Sequence, residues 1–215
     1  PRAILATSQM LHNLNTFCTS TSAYGPVILQ IDSTFNIGDF YLTPVSYRHP
    51  MFVNKRNGAN VLMNAAFLMH SRREADDYKY LGDFVSSELG NKTIPFWGSD
   101  DDTAIAAGLG SSPSFVDSEH LLCSIHATDN CQKKLQDLGV DATSCGNILE
   151  LIFGKDYDEE NGQRNHRVGL IDSKSEKDFE ETLPTLLARF DAIESHSTKK
   201  DPKFSDYFVK NKASD

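Results

Sequence analysis

Two aspartates at the ends of predicted strands are the residues of this sequence best suited to carry chemistry. Asp32 follows the apolar run Val27–Ile31, and Asp100 closes a short apolar run that begins at Thr93. Runs rich in β-branched and aromatic residues predict buried strands, and a strand end is a rigid place to hold a reactive group. Because the two aspartates are far apart in the sequence, only the fold could bring their carboxylates together.

A divalent metal ion is the chemistry that such a pair suggests. Adjacent carboxylates repel each other unless a cation lies between them, and oxygen ligands of this kind suit Mg²⁺ or Mn²⁺. These ions activate a nucleophilic oxygen and stabilise the leaving oxygen in phosphodiester chemistry. However, 30 acidic residues offer many such pairs, and a lone aspartate after a strand more often starts a turn. Spacing alone therefore leaves both interpretations of Asp32 open.

The segment Cys123-x-x-His126 is the second candidate for chemistry. A zinc site needs two more soft ligands, and the spacing to Cys131 or Cys145 matches no standard zinc finger. A Cys–His nucleophilic pair requires the two side chains to meet, yet residues three apart on a strand point to opposite faces. Such a pair fits only if the strand ends between them. A buried cysteine beside a hydrogen-bonded histidine is the favoured interpretation.

Composition and charge limit the classes of function. The 215 residues are 39% hydrophobic and 24% charged, which is ordinary for a soluble globular protein. A formal net charge of −9 argues against a broad surface for nucleic acid, because phosphate binding depends on Lys and Arg. The four cysteines lack the spacing of a disulfide framework, which predicts reduced thiols and an intracellular protein.

The sequence shows no run long enough to span a membrane and no visible signal peptide. It begins with Pro1 rather than methionine, so we expect it to be a piece of a longer protein.

Five predicted strands position the candidate residues. A turn is expected at Ile37–Asp39, because glycine and aspartate tolerate the backbone angles of a tight reversal. Polar breaks are expected at residues 48–50 and 54–58, and Pro95 favours the start or the edge of its strand. The predicted strands cover residues 27–36, 38–45, 60–70, 93–100 and 119–126.

Helices are predicted between and after the later strands. Ser71-Arg72-Arg73-Glu74 has the S-x-x-E form of a capping box, so a helix should begin there and end at Gly90. A second helix should span Thr103–Leu109, and a third should end at Gly139. The resulting order, β-β-β-α-β-α-β-α, predicts an α/β protein with a mixed sheet and helices on its faces. The expected apolar helix faces are Tyr78, Leu81, Val85 and Leu89 in the first helix, and Cys131, Leu135 and Leu138 in the third.

The two ends of the chain differ from this central part. Residues 1–25 are predicted to be a lead-in helix or loop, residues 26–140 the core, and residues 141–215 an acidic helical annex. In the annex a charged loop is expected at 155–167, and a helix over 173–193 with a kink or a late start at Pro184. Asp201 and Pro202 should cap a last helix.

Three motifs in this order resemble those of Mutator-like element (MULE) transposases. The first-aspartate motif is matched by Asp32–Asn36 followed by Phe40–Pro44, and the second, usually written G-T-D, by Gly98-Ser99-Asp100 before a helix. The segment His120–His126 is similar to the C-x-x-H motif that follows. The resemblance covers about residues 26 to 138, and the joint order is more specific than each motif alone.

This resemblance implies a fold and an activity. The family's catalytic domain is ribonuclease-H-like, which here means a mixed five-stranded sheet with flanking helices and a C-terminal helical insertion. It belongs to the cut-and-paste DNA transposases that use a metal-dependent Asp-Asp-Glu triad. Asp32 and Asp100 would then be the catalytic, metal-binding aspartates for Mg²⁺ or Mn²⁺, and Cys123 and His126 would shape the site. The implied partner is transposon-end DNA, the implied location the nucleus, and a homo-oligomer is an open alternative.

The third carboxylate of the triad is the main departure from the family. The usual G-T-D-G-E is replaced by Gly98–Asp102, and no Asn-rich stretch with a glutamate occurs before Asp215. Glu194 is a weak substitute, because on its predicted helix we expect it to face solvent. We therefore expect a fragment that stops inside the insertion, would bind metal weakly and would not cut DNA. A domesticated, non-catalytic interaction module is the alternative.

Overall fold

The computed structural model describes residues 1–33, 35–158, 164–198 and 203–212. The chain forms two compact units, Pro1–Cys123 and Ser124–Asp215. The boundary predicted after residue 140 lies inside the second unit. No helix in the described ranges is both long and apolar enough to cross a bilayer.

A mixed sheet of seven strands forms the first unit, in the spatial order β1-β5-β4-β2-β6-β7 with β3 paired to β4. The strands β1, β5, β4 and β2 pair antiparallel, whereas β2, β6 and β7 pair parallel. The α/β class and the mixed sheet are confirmed, and two strands exceed the predicted five. The strands are β1 (Arg2–Leu5), β2 (Ile28–Ile31), β3 (Phe35–Ile37), β4 (Phe40–Val53), β5 (Asn60–His70), β6 (Phe96–Ser99) and β7 (Glu119–Leu122).

In the antiparallel half of the sheet, one expected turn is present and one expected break is replaced by a continuous strand. Gly38 has a φ of +61° and closes the β3–β4 hairpin, as predicted, because glycine adopts positive φ at no steric cost. The break predicted at residues 48–50 is wrong, since β4 runs through them with irregular register between Arg48 and Val53. His49 explains the continuity: it is buried, its Nδ1 accepts from the Met51 amide, and its carbonyl accepts from Asn60.

The lead-in segment is more structured than predicted. It contains β1, which pairs along the whole of its length with the end of β5, and α1 (Ser8–Phe17), capped by the Thr7 hydroxyl. Leu14 and Phe17 of this helix join the core of the first unit.

Two helices pack together in the first unit, α2 (Ala75–Glu88) and α3 (Thr103–Gly110). The capping box predicted at Ser71 is wrong: the N-cap is Glu74, which makes no side-chain cap bond. The Glu74 carboxylate pairs with Arg72 at 3.3 Å. The predicted stop at Gly90 is confirmed by its φ of +62°. The predicted buried face of α2 is also confirmed, with Tyr78, Leu81, Val85 and Leu89 all buried.

Four helices enclose a separate core in the second unit: α4 (Ser124–Asp137), α5 (Ala142–Phe153), α6 (Glu176–Thr198) and α7 (Phe204–Lys212). Helix α6 passes through Pro184 without a late start. The predicted cap at Asp201-Pro202 lies outside the described residues.

The charged loop predicted at 155–167 is wrong over its described parts. They form an antiparallel pair of strands, β8 (Lys155–Asp158) and β9 (Arg164–Arg167). Their charged side chains pair with each other and with Glu150. His166 bonds Asp156 through Nδ1 and Asp172 through Nε2, each at 2.8 Å. The hydrogen bond to Asp172, followed by the one to Asp156, raises the pKa of His166. The hydrogen bond with the histidine lowers the pKa of Asp172.

Candidate metal centre

Parallel pairing of β2 with β6 places the two candidate aspartates at the same edge of the sheet. Leu29 pairs with Trp97 and Gln30 with Gly98, so the same register continued by two residues sets Asp32 beside Asp100. The two side chains therefore lie at the carboxyl ends of neighbouring central strands, as the sequence predicted. Residues at such ends are held by the sheet, which is why sites are often built there.

A chain of hydroxyls fixes the backbone just after Asp32. The Ser33 hydroxyl lies 2.6 Å from Thr43 Oγ1 and 2.8 Å from the Tyr78 hydroxyl, and Thr43 Oγ1 lies 2.8 Å from His70 Nε2. Thr43, His70 and Tyr78 are fully buried. The residue that follows the first aspartate is thus bonded to both β4 and α2.

One direction of proton donation satisfies every member of this chain. The Tyr78 hydroxyl donates to Ser33, Ser33 to Thr43, and Thr43 to His70 Nε2. His70 Nδ1 then carries a hydrogen and donates to the Arg72 carbonyl. Because a fully satisfied buried network is rigid, this arrangement holds the aspartate edge in one geometry.

Arg73 connects the hydroxyl chain to the second aspartate motif. Its Nη2 lies 2.8 Å from Asp102 Oδ2 and 3.6 Å from Asp100 Oδ2. The hydrogen bond with Tyr78, opposed by partial burial and aided by the nearby carboxylates, raises the pKa of Arg73. Burial raises the pKa of Tyr78, although the bonds from Ser33 and Arg73 act in the opposite direction. A permanent positive charge therefore stands at this edge.

The second aspartate keeps one oxygen suited to a cation. Asp100 Oδ1 is buried and has no hydrogen-bond partner within the described part of the chain. Such an oxygen is costly to leave unpaired, and Mg²⁺ is commonly held by one or two carboxylates with water completing its shell. Asp100 Oδ1 therefore fits a divalent ion at this edge. Among the residues that the structure describes, no group of three or more His, Cys, Asp or Glu side chains could hold a metal ion.

His120 packs against the strand that delivers Asp100. Its ring stacks on Trp97 with centroids 3.9 Å apart, and its Nε2 lies 2.8 Å from the Ser99 hydroxyl. Since Ser99 donates its only proton to the Asp100 carbonyl, His120 Nε2 must be the donor in this contact. Burial lowers the pKa of His120, against the pull of Asp101 and Asp100.

The Cys123-x-x-His126 segment spans the boundary between the two units. The strand predicted over 119–126 is shorter than expected: β7 ends at Leu122, and α4 begins at Ser124. The amide of Cys123 donates to the Ser99 carbonyl at 2.7 Å, which ties Cys123 to the residue before Asp100. His126 lies in the first turn of α4 and is half-buried. A site-shaping role for His126 stays a prediction.

Glu194 is the weak candidate for the third carboxylate. The prediction that it faces solvent is wrong. Its side chain is buried, with 1% of the residue exposed, and its Oε2 accepts from the amides of Lys203 at 3.0 Å and Phe204 at 3.1 Å. The carboxylate thereby satisfies the first amides of α7 and lies at the positive end of that helix. These contacts give Glu194 a structural role.

Replacing Glu194 with alanine should lower the free energy of unfolding of the second unit by about 2–4 kcal/mol, because two amides lose their acceptor. Hydrogen exchange followed by mass spectrometry should show faster exchange in residues 204–212. Glu181→Ala is the matched control on the same helix, since Glu181 is exposed and pairs only loosely with Lys177 at 3.7 Å. Equal exchange in the two variants would remove the capping role.

Comparison with known proteins found no match: no family model, no curated protein and no solved structure is similar to this chain.

Several residues of the centre were not singled out from the sequence. Arg73 and Tyr78 were assigned to a helix cap and a helix face, and His120 appeared only within a motif. What joins them to the aspartates is tertiary contact. Ser33 likewise appeared only within the first-aspartate motif.

Proposed function

We propose that this chain is the metal-binding core of a MULE-type transposase, acting on DNA phosphodiesters with Mg²⁺ or Mn²⁺. One observation carries the proposal. The parallel register of β2 and β6 sets Asp32 beside Asp100, and Asp100 keeps a buried oxygen with no hydrogen-bond partner in the described ranges. The motif resemblance over residues 26 to 138 supplies the chemistry that such a pair would serve.

The order of elements supports a ribonuclease-H-like core. From β2 the first unit continues with two long antiparallel strands, then α2, β6, α3 and β7. Leaving aside the short β3, this is the β-β-β-α-β-α-β order that the resemblance implies. The assignment of this sheet to the ribonuclease-H-like fold is part of the proposal.

The residues of the chain divide the work of such a site. Asp32 and Asp100 hold the ion, and the bound ion supplies charge stabilisation for the reacting phosphate oxygens. Ser33 and Tyr78 fix the position of the first aspartate. Cys123, whose amide donates to the Ser99 carbonyl, shapes the edge. Because the Glu194 carboxylate accepts from the first amides of α7, we place no third carboxylate within the described residues.

The alternative is a non-catalytic module that keeps the fold and has lost the chemistry. It is favoured by the net charge of −9 and by the two-residue ligand set in the described part of the chain. A glutamate and a DNA-binding domain in the full gene product would support the transposase, together with nuclear location, transposon-end DNA as partner and assembly into a homo-oligomer. Their absence there would support the module.

Iron-mediated cleavage tests the position of the ion. Fe²⁺ takes the place of Mg²⁺ at oxygen sites, and with ascorbate and peroxide it cuts the nearby polypeptide. We expect mass spectrometry to find cuts next to residues 32 and 100, and to find them lost in the Asp32→Asn, Asp100→Asn double variant. The exposed Asp117→Asn change is the control that should leave them intact. Cuts that persist in the double variant would place the ion elsewhere.

A further inference from the structure

Arg73 places a positive charge beside the aspartate pair. It stands between the end of β5 and the start of α2, and its guanidinium reaches Asp100 Oδ2 at 3.6 Å. Its side chain is 38% exposed and that of Asp100 is 22% exposed, so the contact is open to water and ions. The closer of its two ion pairs is the one with Asp102, at 2.8 Å.

The guanidinium is fixed from two sides. Asp102 cannot easily turn away, because its Oδ1 caps α3 by accepting from the Ala104 amide at 2.9 Å. Tyr78, whose interaction with the guanidinium raises the pKa of Arg73, is fully buried and bonded to Ser33, so it is immobile as well. Arg73 is therefore held independently of Asp100.

We propose that Arg73 is a built-in counter-cation of the aspartate pair, which opposes the divalent ion and so sets the metal affinity of the site. This inference rests on the proposed metal-binding function. In the absence of an ion the two aspartates repel each other, and the charge of Arg73 beside Asp100 reduces that repulsion.

Because Asp100 has two oxygens, Arg73 can oppose a divalent ion without excluding it from the carboxylate. Arg73 approaches Oδ2, whereas Oδ1 is buried and has no hydrogen-bond partner among the described residues. An ion on Oδ1 would share the carboxylate with a fixed positive charge. In water-like surroundings, repulsion between the Arg73 charge and a divalent ion on the same carboxylate lowers the affinity of the site for the ion about tenfold.

Calorimetric titration of Mn²⁺ into the wild-type chain, Arg73→Gln and Arg73→Lys at low salt tests the proposal. Arg73→Gln should bind Mn²⁺ about tenfold more tightly, because the opposing charge is gone. Arg73→Lys keeps the charge and should stay within about threefold of the wild type. The gain in Arg73→Gln should shrink at higher ionic strength, since salt screens exposed charges.

Arg72→Gln is the matched control. Arg72 is the neighbouring arginine, its side chain is 65% exposed, and its ion pair is with Glu74 rather than with the aspartates. Its removal should change the Mn²⁺ affinity by less than about twofold. If Arg73→Gln does not fold, Arg73→Met, which also removes the charge, should tighten Mn²⁺ binding by a similar factor.

The outcomes separate this proposal from the one on which it rests. Tighter binding by Arg73→Gln supports it, even if the wild type binds too weakly to measure. Equal or weaker binding by Arg73→Gln overturns it, while wild-type binding that is lost in the Asp32→Asn, Asp100→Asn variant would leave the metal site standing. No binding by the wild type or by Arg73→Gln would overturn both proposals.

Discussion

Gly108→Ala is expected to lower the free energy of unfolding of the first unit by about 2–4 kcal/mol. A Cβ atom at this position would clash with the Ala75 carbonyl oxygen, and would lie 2.7 Å from Tyr78 Cβ and 2.9 Å from the Lys79 amide nitrogen. Two of these atoms are backbone of α2, so the clash is relieved only by moving the two helices apart. The usual gain from replacing a helical glycine with alanine is thus reversed.

Urea unfolding followed by the fluorescence of Trp97 measures this effect. Trp97 is the single tryptophan of the chain and is buried in the first unit, so its signal reports that unit. Gly110→Ala is the control, because a Cβ there meets nothing within 4 Å. It should raise stability by about 0.5–1 kcal/mol. A Gly108→Ala protein as stable as the wild type would show that α2 and α3 do not pack this closely.

This packing matters for the metal centre. Tyr78 comes from α2, and Asp102 caps α3, so the distance between the helices sets where the Arg73 guanidinium is held. A small residue at position 108 is therefore a requirement of the site as well as of the core.

Local patterns in the sequence predicted the parts of the fold that depend on neighbouring residues. The apolar run 60–70 became β5 over the predicted bounds, and the helical spacing of Tyr78, Leu81 and Val85 became the buried face of α2. Asp32 and Asp100 were found for the same reason, since each follows a short apolar strand. Their adjacency was expected from the motif resemblance, and the parallel pairing of β2 with β6 that sets the two positions side by side is tertiary.

The elements that were missed depend on distant partners or on charge. Strand β1 is only four residues long and is defined by its pairing with β5. The β8–β9 pair of strands carries charged residues that periodicity assigns to a loop, yet these residues pair with one another and with Glu150. Neither kind of contact leaves a local pattern.

Glu194 was expected to face solvent because it is charged, although its spacing along the helix predicts a buried position. Leu186, Phe190 and Glu194 are spaced by four residues on α6, and all three are buried. Periodicity alone places Glu194 on the apolar face. Only the position of α7, whose first amides it accepts from, explains why a carboxylate can lie there.

The loss of metal binding on removing both aspartates is the second large effect that we expect. Changing Asp32 and Asp100 to asparagine keeps the size of each side chain but removes both charges of the pair. Because Mg²⁺ and Mn²⁺ depend on anionic oxygen ligands, affinity should fall by at least about a hundredfold. The Asp117→Asn control removes one exposed charge and should leave the affinity within about twofold of the wild type.

Calorimetric titration of Mn²⁺ into this chain, beside the Asp32→Asn, Asp100→Asn double variant, tests most directly whether the two aspartates form a metal site. We expect saturable binding to the wild type and none to the variant, with both proteins showing the same far-ultraviolet spectrum. Equal heats in the two proteins would contradict a metal site at the β2–β6 edge and would favour a fold that has lost its chemistry.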